Sequence, residues 1–306
     1  MTGTISKLYM TQLNTRIGET RGEDLSAFFD CYCKDIGDLA VRALLYEVSA
    51  TPKPGLVDRE NNGAHKDMCF ETFLDSAAAL RNCFEECCRA GIEEQNIRAL
   101  ALRLRETGLK GEYDMFQATG GINTHKGLIF SLGIICCAAG ANSSAPTEQL
   151  QEMCRLIAAE LLGEEPETVK NTNGSKVLRT TGVGGIRKEA LSGFDTAFTV
   201  GLPELKKAVS DGCSINIAMV RTLIKLMHCV DDSNVVHRGG VEGLRFVKDR
   251  AGKILASGDV WWKDESLQAV RDFDAECIDR NLSPGGCADL LAISVMLFYL
   301  QKRGIL

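Results

Sequence analysis

Residues 128–139 and 290–300 constrain this chain most. Both runs are apolar on every face and carry no charged residue. A helix that is hydrophobic all round has to be buried. Each run is far shorter than the roughly 20 residues needed to span a bilayer. The two runs therefore read as central helices of a soluble bundle that needs a surrounding layer. The rest of the sequence supplies one. Leu, Ala, Ile and Phe recur at helical spacing over 24–49, 69–90, 93–107, 124–139 and 147–162. They recur again over 187–210, 214–230, 240–256, 265–278 and 286–303. Strand-like alternation is scarce. The expected fold is all-α, a compact bundle of about ten helices with long functional loops and no significant sheet. Pro203 is expected to break the 187–210 segment. Ser283-Pro284 suits a helix start, with Ser as cap and Pro in the first turn. Gly140, Gly163 and Gly304 suit helix ends. His228, on an apolar helix, reads as a core histidine. Residues 1–22 read as a flexible extension and 23–306 as one helical catalytic domain.

Bulk composition narrows the function. With 306 residues and a net charge of −6, the chain lacks the basic balance of a nucleic-acid binder. Any anionic ligand must meet a local positive patch. The thirteen cysteines contain no C-x-x-C spacing. They read as small core residues in a reducing cytoplasm rather than a metal or redox site. No apolar signal-peptide core opens the sequence.

Turn residues gather in five loops, and long loops on a rigid scaffold are where binding chemistry sits. The first, 51–67, runs T-P-K-P-G-L-V-D-R and then N-N-G-A-H-K-D. Asp58, His65 and Asp67 there suit acid–base work or metal binding. Alone, the loop equally fits a solvated connection with self-paired charges. The second spans 111–127 and ends in T-G-G-I-N-T-H-K-G at the mouth of an apolar helix. Glycines admit close backbone approach, and a helix N-terminus attracts anions. Asn123 or Thr124 suits a cap, and Lys126 a phosphate contact. The third loop spans 164–185. Residues 168–188 hold Lys170, Lys176, Arg179, Arg187 and Lys188 with no acid between them, around T-T-G-V-G-G. That is a phosphate cradle by composition, or else a mobile basic loop. It is neither a Walker A sequence nor a dinucleotide fingerprint. The fourth, 231–240, pairs Asp231 and Asp232 with Asn234 and Arg238, which suits Mg²⁺ or a helix cap. The fifth, 281–286, leads to Asp289 at the opening of the second apolar run, where a carboxylate compensates a helix dipole or faces a site.

Taken together these loops resemble the triphosphoribosyl-dephospho-coenzyme A synthase family. The matching stretches are Glu47-Val48 with 52–59, then 63–68, 121–127, 181–187, 232–234 with 238–240, and 282–290. Each is weakly specific alone, but six in family order across about residues 40–300 are not. Ser233 stands where Thr is expected and Cys287 where another small residue is expected. The resemblance implies that the 2′-hydroxyl of 3′-dephospho-CoA attacks C1 of the ATP ribose. Adenine leaves and the triphosphate is retained. A separate transferase would then load the product onto an acyl carrier protein of citrate lyase or malonate decarboxylase. ATP is a substrate and brings Mg²⁺; no organic cofactor is expected. A homodimer is an open expectation.

Glycosyl transfer of this kind needs carboxylates and an acid for the leaving base. Glu47, Asp58 and Asp67 are the candidate bases. His65 and His125 are candidate acids or phosphate contacts. Lys53, Arg59, Lys126, Arg179, Arg187 and Arg238 are candidate phosphate clamps. Gly121, Asn123, Thr124, Gly184, Gly185, Asn234, Ser283 and Gly285 are candidate binding positions. Asp231, Asp232 and Asp289 are the candidate Mg²⁺ ligands. Two other readings compete: a Mg²⁺-dependent helical hydrolase of ADP-ribose-like nucleotides, and a non-enzymatic helical scaffold.

Overall fold

The computed structural model of the chain describes residues 22–141, 147–163, 183–257 and 264–306. Among them every regular element is helical. The helices are α1 (Gly22–Ser49), α2 (Phe70–Ala79), α3 (Arg81–Glu93), α4 (Ile97–Ala118), α5 (Lys126–Ala141), α6 (Thr147–Gly163) and α7 (Gly185–Leu191). A π-helical turn over Ala197–Gly201 leads into α8 (Leu202–Ser210), α9 (Ile215–Cys229), α10 (Ser233–Ala256), α11 (Asp264–Asp279) and α12 (Gly285–Lys302). The expected extension at 1–22 falls outside the described residues except for Gly22, which opens α1.

The two all-apolar runs form α5 and α12, and most of both helices is buried. They touch, and the other helices wrap them: α3, α4 and α6 around α5, and α1, α8, α9 and α10 around α12. The α3–α5 crossing is close. A Cβ at Gly91 would lie 2.0 Å from the carbonyl oxygen of Cys137, and one at Gly140 would lie 2.1 Å from that of Cys88. Only glycine lets the backbones meet at that distance. Gly140 is thus a packing residue, one position before α5 ends at Ala141. Small thiols fill the seam: Cys33, Cys83, Cys87, Cys88, Cys136, Cys137 and Cys154 are all buried and free. They are core residues, as their spacing suggested. No described helix is long and apolar enough to cross a membrane.

Several expected boundaries moved for local reasons. The 69–90 segment splits at the fully buried Leu80, whose N–H bonds the Ala77 carbonyl. α4 continues through Gly108 and Gly111 to Ala118, because Gly111 packs against Cys83 Sγ on α3. The second loop therefore begins at Thr119, not at 111. The 187–210 segment breaks at Gly193 (φ +72°), ahead of Pro203. Pro203 instead lies in the first turn of α8, where its missing N–H costs nothing. α10 starts at Ser233, so 231–240 is mostly helix, kinked at Gly240 (φ +64°). His228 is exposed near the end of α9, with Nδ1 3.1 Å from the Lys248 carbonyl.

Candidate active site

The described parts of the loops meet at one end of the bundle, where the N-termini of α5, α7, α10 and α12 converge. Four contacts place them. A Cβ at Gly127 would lie 2.4 Å from Asp289 Oδ2, and one at Gly185 would lie 2.4 Å from Ser233 Oγ. One at Gly286 would lie 3.0 Å from Asp232 Oδ2, and one at Gly285 would lie 2.8 Å from Asn234 Nδ2. Each helix mouth thus sits against a polar side chain from another. Helix N-termini carry unpaired N–H groups and a positive dipole end, so four together favour anions. Between α7, α10 and α12 lies a cavity of about 180 Å³, lined in part by Gly184, Gly185, Lys188, Asp232, Ser233 and Gly286.

The first loop is folded by its own polar groups. Asp58 Oδ2 accepts from Lys53 N (2.8 Å), and Oδ1 accepts from Glu60 N and Asn61 N (2.7 and 3.1 Å). With both oxygens held by backbone amides, this buried carboxylate shapes the loop. Asp274 on α11 accepts from Gly55 N (2.8 Å) and Asn61 Nδ2 (2.7 Å). Gly55 has φ +71°, and a Cβ there would sit 2.2 Å from the Leu282 carbonyl, so loops one and five lie back to back. Asn216 near the start of α9 brackets Thr51, accepting from its N–H and donating to its carbonyl at 3.0 and 2.7 Å. Arg59, exposed, donates to Asn216 and Thr51. Neither Asp274, a lone acid on an amphipathic helix, nor Asn216 carried any signal in the sequence.

Behind this loop Lys53 Nζ donates to Glu47 Oε1 at 2.5 Å, with both side chains buried. Burial pushes the Glu47 carboxyl up despite the ammonium beside it. Asp289, in the first turns of α12, is partly exposed and makes no hydrogen bond among the described residues. Its carboxyl is pushed well up by burial and by the fields of Glu47 and Asp232. A carboxyl so placed holds a proton more tightly than a free one does.

The second loop brings His125 inward. His125 is 1% exposed. Its Nδ1 lies 2.7 Å from Ser76 Oγ on α2, and Thr124 Oγ1 donates to the same oxygen at 2.7 Å. The Phe73 ring stands edge-on at 5.0 Å. His125 Nε2 is buried without a partner. A buried polar atom left without a partner costs about 1–3 kcal/mol. Burial, then the Lys53 charge, pushes the imidazole down to about 3. Lys126 and Asn123 point outward: Lys126 pairs with Glu112 at 2.6 Å, and Asn123 Oδ1 faces Lys126 N at 3.3 Å. Gly121 is exposed with φ +90°.

A third group joins loops one, four and five. Arg238 donates to the Ala64 carbonyl (2.9 Å), Asn281 Oδ1 (3.2 Å) and His65 Nδ1 (3.4 Å), and His65 Nε2 lies 2.9 Å from Ser283 Oγ. Burial, then Arg238, pushes the His65 imidazole down. Ser283 is therefore a partner of His65 and not a helix cap; Pro284 takes the cap position. Asp67 is exposed, 4.0 Å from His65.

The three acids expected to hold Mg²⁺ do not form a ligand set. Asp231 faces outward and pairs with Lys248 at 2.6 Å. Asp232 caps α10, accepting from Asn234 N and Val235 N, and its other oxygen takes Cys287 N at 2.8 Å. Of the three, only Asp289 has both oxygens uncommitted among the described residues. Among the described residues no three His, Cys, Asp or Glu side chains could together hold a metal ion. Of the basic third loop, Arg187 is partly buried beside Gly184 and Gly185, whereas Lys170, Lys176 and Arg179 lie outside the described residues.

The model of the family described as ATP:dephospho-CoA triphosphoribosyl transferase matches residues 33–305. The chain belongs to this family. It is 40% identical over 294 residues to the 2-(5''-triphosphoribosyl)-3'-dephosphocoenzyme-A synthase of Escherichia fergusonii, covering 92% of this chain and 96% of the relative. It is 41% identical to a protein of Pectobacterium carotovorum named a probable synthase of the same kind, covering 87% and 89%. A crystal structure from Archaeoglobus fulgidus, reported as a triphosphoribosyl-dephospho-CoA synthase, shares the helical fold. Its TM-score is 0.50 at 17% identity, covering 74% of this chain and 97% of that one. The chain is an enzyme, a transferase of the triphosphoribosyl group, as its ordered loop motifs implied.

Proposed function

We propose that the converging helix mouths are the pocket in which ATP and 3′-dephospho-CoA meet, and that Asp289 moves the proton. The observation that carries this reading is the convergence itself. Four helix N-termini face one region that also holds an unbonded carboxyl, in a protein whose net charge is −6. The glycine mouth at Gly184–Gly185, with Arg187, Lys188 and the first turns of α10 and α12, takes the triphosphate. His65, Arg238 and Ser283 take phosphate oxygens of the acceptor nucleotide.

The proton balance of the transfer suits a single carboxyl. The 2′-hydroxyl loses a proton and departing adenine gains one. Asp289, neutral at the start, gives its proton to adenine as the glycosidic bond breaks through an oxocarbenium-like state. The resulting carboxylate, flanked by α5 and α12, then accepts the proton of the attacking hydroxyl and is restored. Glu47 stays paired with Lys53 and holds Asp289 in its neutral form. Mg²⁺ is expected on the triphosphate rather than on a set of protein acids. The product is handed to a separate transferase that loads a carrier protein. The free, largely buried thiols suit a reducing cytoplasm.

The test is incubation with ATP and 3′-dephospho-CoA, following free adenine by chromatography. Adenine is expected only when both are present. Adenine released from ATP alone would make the chain a hydrolase and overturn the reading.

A further inference from the structure

We propose that His125 serves this reaction as a fixed, uncharged hydrogen-bond donor. Its Nε2–H is set by a Thr124–Ser76 hydroxyl relay and offered to a ring nitrogen of the departing purine. The proposal rests on the reading of this pocket as the transfer site, and it replaces an acid–base role for the histidine.

The direction of the relay follows from counting protons. Thr124 Oγ1 donates to Ser76 Oγ at 2.7 Å. Ser76 has one proton of its own, is fully buried, and has His125 Nδ1 at 2.7 Å as its other partner. That proton therefore points at Nδ1. A ring nitrogen that accepts carries no proton, so in the neutral ring the proton sits on Nε2. Nε2 is the one buried side-chain polar atom among the described residues without a partner. The relay thus fixes a donor and leaves it unspent.

The surroundings select the acceptor. The Phe73 ring stands edge-on to the imidazole, and Met115 Sδ receives the His125 backbone N–H at 3.3 Å. These apolar walls suit a planar base. A phosphate would find a single donor there and no cation to itself, because Lys53 is committed to Glu47. As the glycosidic bond breaks, electrons flow onto the purine ring nitrogens, so an N–H aimed at one of them binds more tightly in the transition state than before it. Lys53 is the charge that acts on the imidazole, and it opposes protonation. The turn leading into His125 carries Gly120 and Gly121, both at positive φ with open space around them, so no side chain stands on that side of the turn.

The test is NMR on the full-length chain labelled with ¹⁵N-histidine. Four histidines are present, and His125→Gln identifies the signal by its loss. The expected spectrum is a neutral ring with Nδ1 bare and Nε2 protonated, unchanged from pH 8 to 5.5. ATP alone, which has no acceptor to react with, should shift the Nε2 proton. Ser76→Ala should scramble the tautomer and slow adenine release about tenfold, and Ser76→Thr should restore both. His125→Gln, which keeps a donor near Nε2, should retain more activity than His125→Ala, expected to lose about 10²–10³-fold. A ring that titrates between pH 5.5 and 8, a proton on Nδ1, or an Nε2 signal indifferent to ATP would each overturn the proposal. A wild type that shows the ATP-dependent shift but releases no adenine would overturn the transfer reading and leave the donor standing.

Discussion

The two ends of α5 make the same covalent choice for opposite purposes. At one end Gly140, with Gly91 opposite, lets α5 and α3 approach until a methyl group would overlap a carbonyl oxygen. At the other, Gly127 clears the same space for the carboxylate of Asp289. The first contact is backbone on backbone, sealed by thiols, and its benefit is packing. The second leaves a carboxyl group short of partners in a low-dielectric setting, and its benefit is chemistry. One helix thus carries a stability contact and a functional contact within a few turns. Substitutions at the two ends should separate these roles.

Asp289→Asn should have the largest effect. Adenine release should fall by about 10²–10⁴-fold, the usual cost of losing a catalytic acid or base. The same change should leave the fold intact and raise the melting temperature at neutral pH. The sign follows from the shift. The Asp289 carboxyl is raised in the folded chain, so folding holds its proton more tightly than the unfolded chain does, and stability is lost as pH rises through the folded value. Asparagine removes that loss, so the gain should vanish in acid, where Asp289 is protonated in the unfolded chain as well. A variant that is both inactive and unstable at pH 7 would make Asp289 a structural group. Next comes Gly91→Ala, which forces a methyl group onto the Cys137 carbonyl. It should cost about 1–3 kcal/mol in chemical denaturation, with turnover per folded molecule unchanged. Gly127→Ala should do the reverse, slowing adenine release about tenfold by displacing Asp289 while moving the denaturation midpoint less than Gly91→Ala does. Lys126→Ala should change least: its pair with Glu112 is exposed, and stability should stay within about 0.5 kcal/mol of wild type.

The sequence declared the loops more readily than their internal wiring. Pro, Gly and Asp in 51–67 announced a loop, and the apolar runs announced α5 and α12. These signals are local, and local chemistry decided them. What the sequence concealed was pairing at a distance. Ser76 reads as one small residue on α2, and only the folded chain brings it to His125, 49 positions away. Asp274 and Gly55 are 219 positions apart. The adjacent acids Asp231 and Asp232 suggested a metal site because neighbours in sequence look like neighbours in space. The cap at Asp232 sends one inward and leaves the other to Lys248. Gly111 misled in the opposite direction, since a residue that weakens an isolated helix is welcome where another helix presses close.

The buried thiols of the α3–α5 seam also give the chain an internal clock. Of the described cysteines, Cys31 and Cys229 are exposed and nine are buried. A thiol reagent can label the first two at once. Cys69 and Cys213 are partly exposed, and the reagent reaches the nine buried thiols only when the bundle opens, so the slowest phase of labelling counts opening events of the native protein. Ligands that fasten the helix mouths together should lengthen that phase, whereas Gly91→Ala, at the opposite end of α5 from those mouths, should shorten it.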